Sequence, residues 1–203
     1  MAAPMLDLAD GYYELPKGKL ANLVTCLEMR APPSRVLAPF PVGLSLERVD
    51  AADLEGYRHL FRLVGADWMW TSRLLMSDEA LAGVLGDPAR DSFRLTRDGV
   101  VSGIIELYFE SSEVCELAFL GLVPGAVGMG LGRVLIDEGI RRAWARGISR
   151  LWVHTCSFDS PDALPFYIRS GFTPYARMVE VHDDPRLLGR LPMTASPQVP
   201  VLG

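Results

Sequence analysis

Cysteine and lysine are scarce in this chain, and a long apolar run is missing altogether. Three cysteines, Cys26, Cys115 and Cys156, stand far apart among 203 residues. An odd number cannot pair completely, and neither a CxxC nor a Cys/His ligand spacing occurs, so neither a disulfide framework nor a metal site is expected. No stretch approaches the roughly 18 apolar residues that cross a bilayer, and no membrane partner is expected. The opening residues carry Asp7 and Asp10 where a secretory leader carries Lys or Arg, which predicts a cytoplasmic protein. Positive charge is also short: 20 Lys and Arg against 25 Asp and Glu leave a net charge of −5 and a pI near 5.2. Phosphate-backbone binding needs a cationic surface that releases counterions, so nucleic acid is not expected either. Only Lys17 and Lys19 are lysines, and no function follows from that bias.

What is present suits a soluble, folded chain: 49% hydrophobic and 22% charged residues predict a real core. The length fits one domain with extensions. Residues 1–41 read as an extension and a connector, the latter carrying Pro32, Pro33, Pro39 and Pro41. Within the extension, Leu20, Leu23, Val24 and Leu27 fit a helix, whereas Leu23, Thr25, Leu27 and Met29 fit a strand.

The main domain is expected over residues 42–182. A strand at 42–49 precedes a helix capped by Asp50, with Leu54, Tyr57, Leu60, Phe61 and Val64 on one face. Ser77 caps a second helix that stops at Gly86-Asp87-Pro88. Asp98-Gly99 supplies the positive φ angles of a type I′ hairpin between strands at 93–97 and 100–109. A strand at 114–123, a helix at 128–146, a strand at 150–155, a short helix at 161–170 capped by Asp159 or Ser160, and a strand at 177–181 complete the order. Residues 183–203 form a proline-rich tail, either disordered or laid over another surface.

The segment VPGAVGMGLGR, from Val123 to Arg133, follows a strand and opens an amphipathic helix. The first amides of a helix lack internal partners, and the helix dipole places positive charge there, so main-chain donors alone hold a pyrophosphate. Arg133 adds a charged contact. A dinucleotide-binding turn belongs to a first βαβ unit, whereas this one follows a hairpin; a Walker A loop needs a Lys-Ser/Thr pair that is missing.

Three segments carry a resemblance: ELAFLGL from Glu116, the glycine turn Gly128, Gly130, Gly132, and ALPFYIRSGF from Ala163. Together they resemble the signature segments of the GCN5-related N-acetyltransferases (GNAT) over roughly residues 42–182. The resemblance implies an α/β (α+β) fold, a mixed, centrally splayed β-sheet flanked by helices, and acetyl-CoA as cosubstrate with no metal. It places the pyrophosphate on Gly128, Met129, Gly130, Leu131, Gly132 and Arg133, although Val127 stands where the family carries Gln or Arg. It aligns the pantetheine arm with Phe119, Leu120, Gly121, Leu122 and Val123. By the same resemblance Glu116 is the base and Tyr167 the acid that protonates the leaving thiolate.

Each of these residues also has a plainer reading: Glu116 as a strand carboxylate, with Glu106 and Glu113 as weaker alternatives for the base, and Tyr167 as an aromatic packed under the cofactor. His154, inside an apolar strand, reads as a core or cleft histidine. Trp68, Met69 and Trp70 either line an acceptor pocket or close the core. The expected reaction is direct acetyl transfer to a small-molecule or peptide amine. A coenzyme A sensor without turnover is the contrasting expectation, and a homodimer is allowed, with the extension covering a sheet edge or joining a partner.

Overall fold

A computed structural model describes residues 7–203. Its elements are β1 (Lys19–Met29), β2 (Leu44–Arg48), α1 (Leu54–Gly65), α2 (Asp78–Leu85), β3 (Arg90–Arg97), β4 (Val100–Phe109), β5 (Val114–Leu122), α3 (Leu131–Ala145), β6 (Arg150–Cys156), α4 (Ala163–Ser170) and β7 (Thr173–Asp183). They build one mixed seven-stranded sheet of order β2-β3-β4-β5-β6-β1-β7, flanked by four helices.

Local chemistry explains most boundaries. Asp98 and Gly99 take φ of 51° and 79°, as a type I′ turn requires. Ser77 accepts from the Ala80 amide and caps α2. The cap of α1 is Asp53, which accepts from the Gly56 amide at 3.0 Å, not Asp50. Asp50 instead accepts from the Ala52 amide and closes the preceding turn. Neither Asp159 nor Ser160 caps α4; Asp162 occupies the cap position without a side-chain bond.

The extension corrects the sequence reading most. Residues 19–29 are a strand, and it lies inside the sheet, antiparallel to β6 on one side and to β7 on the other. It covers no edge. The connector after it is fastened to α3: Arg35 donates to both oxygens of Asp137, and the Ala38 amide donates to the same carboxylate.

One core lies between α3, α4 and the sheet, around Leu107, Leu135, Ile136, Ile140 and Leu151. A second joins α1 and α2 to Ile104 on the opposite face. The tail is laid over a surface. Leu191 and Ala195 pack with Leu20, Met69 and Phe158, and Ser196 donates to the Asp67 carbonyl at 2.6 Å. A buried Asp184–Arg186 pair organises it, with Arg186 also donating to the Val199 carbonyl at 2.7 Å.

Candidate acetyl-transfer site

β5 and β6 run parallel but pair through three positions only, ending at Glu116 opposite Trp152. Beyond that point the strands part, and the β5 edge facing β6 has no strand partner from Leu117 onward. A bulge helps turn β5 away: Leu107 pairs with Leu117 and Glu106 with Phe119, so Ala118 is the unopposed residue. Helix α1 presses on the diverging strand so closely that a Cβ on Gly121 would stand 2.3 Å from Val64 Cγ1. The fork opens a cavity of about 1220 Å³ that reaches from the glycine turn to Glu116, His154 and Tyr167.

At one end, Gly128 and Gly130 hold φ of 82° and 77°, the left-handed region that glycine enters freely. Gly130 is the N-cap of α3 and supplies no side-chain bond. The Arg133 amide is taken by the Gly130 carbonyl at 3.1 Å, which corrects its expected use as a donor to a ligand. Among the described residues, the amides of Gly128, Met129, Gly130, Leu131 and Gly132 have no backbone acceptor. Five such donors at a helix N-terminus fit a pyrophosphate. The Arg133 side chain borders the cavity, half exposed, with Nε 3.1 Å from Asp137.

Phe119, Leu120, Gly121, Leu122, Gly128, Gly130, Gly132 and Arg133 all border the cavity, as do Glu116 and Tyr167. Three expected residues do not present their side chains there. Met129 receives Arg97 on its sulfur, Leu131 is buried in the core, and Val123 packs between two apolar clusters while its amide donates to Ser102.

Glu116 faces the cavity with its carboxylate 3.7 Å from His154 Nδ1. Burial pushes its acid up from the ordinary carboxylate range, and the neighbouring imidazole offsets part of that. A carboxylate so raised accepts a proton more readily near neutrality. Tyr167 is buried between Phe166 and Phe172. Burial, with the charge of Asp159, pushes its phenol well above its usual range, so it keeps its proton at neutral pH. His154 is a cleft histidine, exposed beside Trp152. Trp68, Met69 and Trp70 border the cavity, and Trp70 also packs on Phe61 and Phe119.

Glu106 is no base for this cavity. It is 1% exposed and accepts from Tyr57 on one oxygen and from Arg73 at 2.9 Å on the other. Arg73, which sequence reasoning missed, also lies over the Phe119 ring at 5.0 Å and so braces the bulged strand. Its only advance signal is an arginine among the large apolar residues of 68–76. Glu113 lies on the surface, its carbonyl bonded by the amides of Ser149 and Arg150. Asp159, expected as a cap, instead accepts from the Thr155 hydroxyl and the Cys156 amide at 2.8 Å each and from Trp70 Nε1 at 3.3 Å. It ties the end of β6 to the aromatic loop. Burial pushes the Cys115 and Cys156 thiols up to about 12 and about 11, which disfavours their thiolate forms near neutral pH.

A strand pair forked beside a glycine turn at a helix N-terminus is the arrangement that the resemblance to the GCN5-related N-acetyltransferases implies. The model of the Acetyltransferase (GNAT) family matches residues 57–172, more than half of the chain, and the chain belongs to that family. It is similar to mycothiol acetyltransferase of Beutenbergia cavernae, 35% identical over 79 residues, which cover 39% of this chain and 26% of that one. The corresponding protein of Thermomonospora curvata is 34% identical over 90 residues, covering 44% and 30%. The matches thus span under a third of either relative. Among solved structures, a GCN5-related N-acetyltransferase from Sphaerobacter thermophilus aligns with a TM-score of 0.59 at 14% identity, covering 80% of this chain and 51% of that one. At that identity the likeness shows the fold alone. No helix among the described residues is long and apolar enough to cross a membrane.

Proposed function

We propose that this chain transfers acetyl from acetyl-CoA to a primary amine, directly, with both substrates bound together. The observation that carries this reading is the single cavity joining the unpaired amides at Gly128–Gly132 to Glu116 and Tyr167 through the open edge of β5. Acetyl-CoA supplies an activated thioester. The glycine-turn amides and Arg133 hold its pyrophosphate, and the free edge of β5 at Phe119–Leu122 pairs with its extended arm and orients the carbonyl.

An alkylammonium ion has a pKa of about 10.4 and must lose a proton before it can attack. Glu116, kept from full solvation, takes that proton directly or through water, with His154 able to pass it outward. Burial makes Tyr167 retain its own proton, so it donates a hydrogen bond to the departing thiolate, which takes up the second proton that the amine nitrogen sheds as the tetrahedral intermediate collapses. Cysteines held in their thiol form favour a single transfer over an acyl-enzyme.

Calorimetric titration with acetyl-CoA, beside Gly130→Arg checked for folding by circular dichroism, tests the donor site. Binding by the native chain and its loss in the variant are expected, and no binding by the native chain would overturn the reading. Release of coenzyme A thiol with a panel of amines then tests transfer.

A further inference from the structure

Beyond the last paired row, Glu116 and Trp152, one side chain reaches from the β5 arm of the fork to the β6 arm. Neighbouring strands stand about 4.8 Å apart, so a chain held between the two arms needs a gap of about 10 Å. Closing such a gap from one side takes a large side chain, and Trp70 supplies it. Its indole lies against Phe119, with ring centroids 5.0 Å apart, and against Gly121, where an added Cβ would stand 3.2 Å from the indole Cη2. Its Nε1 then donates to Asp159 Oδ1 at 3.3 Å. Among the described residues, no other side-chain hydrogen bond joins β5 or residues 66–76 to residues 156–162.

Both ends of this crossing are built in place. On the β5 side, a Cβ on Gly65 would stand 2.4 Å from the Cβ of Trp70, so the loop passes α1 where only glycine fits. The Trp70 amide donates to the Gly65 carbonyl at 3.0 Å, and Met69 before it holds φ of 60°, a left-handed backbone that costs a non-glycine residue energy. On the β6 side, the Thr155 hydroxyl and the Cys156 amide fix Asp159 at 2.8 Å each. These anchors are shorter than the bond across the fork, so the crossing is the link that yields first. Met69 and Phe158, each beside one end, share an apolar cluster with Leu191 and Ala195 of the tail, which backs the closed position. Trp70, Phe119, Gly121 and Asp159 all border the cavity, so an arm paired with the β5 edge lies against the crossing.

Resting on the acetyltransferase reading, we infer that Trp70 and Asp159 are positioning residues for the donor, their hydrogen bond a latch that closes the fork over the arm of the bound thioester. The latch opens for entry and closes on the arm, so its loss weakens the hold on the donor. Coenzyme A is titrated calorimetrically into the full chain and into Trp70→Phe, Asp159→Asn and the double variant. Trp70→Phe keeps a ring against Phe119 and removes the N–H donor, and a loss of about fivefold in affinity is expected. Asp159→Asn should lose at least as much, and adding Trp70→Phe to it should cost little more, because one bond accounts for both losses. The native chain gives a second reading free of substitution. On binding coenzyme A, the Trp70 indole N–H, assigned in nuclear magnetic resonance spectra through its contacts with Phe61 and Phe119, should exchange with solvent about tenfold more slowly. Binding by Trp70→Phe as tight as by the native chain, equal losses from Trp70→Phe in both backgrounds, or an exchange rate that coenzyme A leaves unchanged would overturn the latch while the donor reading stands. A native chain that binds no coenzyme A would sink both.

Discussion

Replacing Arg73 by Met strips a buried carboxylate of its cation. Glu106 would then keep one hydrogen bond, from Tyr57, in a site 1% exposed to solvent. Breaking a buried pair from one side typically costs about 3–5 kcal/mol, because the remaining charge is left uncompensated. For a chain of this length that is a fall of roughly 10 °C in Tm. Replacing both partners by Met removes the charge altogether and should recover most of the loss, leaving the unpartnered Tyr57 hydroxyl at about 1–2 kcal/mol. Adding Tyr57→Phe should remove that remainder. Urea unfolding of the wild type, both single variants and the double variant gives the coupling energy as a double-mutant cycle. A double variant as unstable as the sum of the singles would refute the account of a coupled buried pair beneath Phe119.

Glu116→Gln should lower kcat about 100-fold or more with acetyl-CoA affinity unchanged, and the acid limb of the wild-type kcat/KM profile should lie above the ordinary carboxylate range; stopped-flow thiol release across pH measures both. Burial alone would raise the Asp137 acid, but the bonds from Arg35 and Ala38 and the charge of Arg133 outweigh it and hold the group below its usual range. Its stabilisation is then complete above the unfolded value near 4 and lost as pH falls through the folded one, so Asp137→Asn should cost about 2 kcal/mol at pH 7 and progressively less below about pH 4 in chemical unfolding. Gly121→Ala should destabilise by about 1–3 kcal/mol through the clash with Val64, and Val64→Ala in the same chain should relieve it, as thermal melts would report.

The features legible in the sequence are those written locally. The Asp98-Gly99 turn, the Ser77 cap and the glycine turn each depend on a few adjacent residues, and each stands where expected. The strand β1 was ambiguous because its partners lie about 130 and 160 residues away, and because Asn22 interrupts its apolar alternation. The fork was expected only through family resemblance, since Ala118, the bulged residue, has no distinguishing side chain. Arg73 and Asp159 escaped for a related reason. Their meaning lies in partners on other elements, Glu106 and Trp70, and spacing along the chain does not encode those meetings.

The central placement of β1 has a consequence for how the chain reaches its native state. Strands β3, β4 and β5 are joined by short connections, close little loop entropy and can form early as a meander. The other half of the sheet cannot, because among the described residues β7 has β1 as its sole neighbour and β1 needs β6 as well. During synthesis β1 must therefore wait for β6, and its other edge stays open until β7 has left the ribosome. A nascent chain halted before residue 173 would hold a partly formed core with one edge of β1 unpaired, the condition in which folding intermediates aggregate or recruit chaperones.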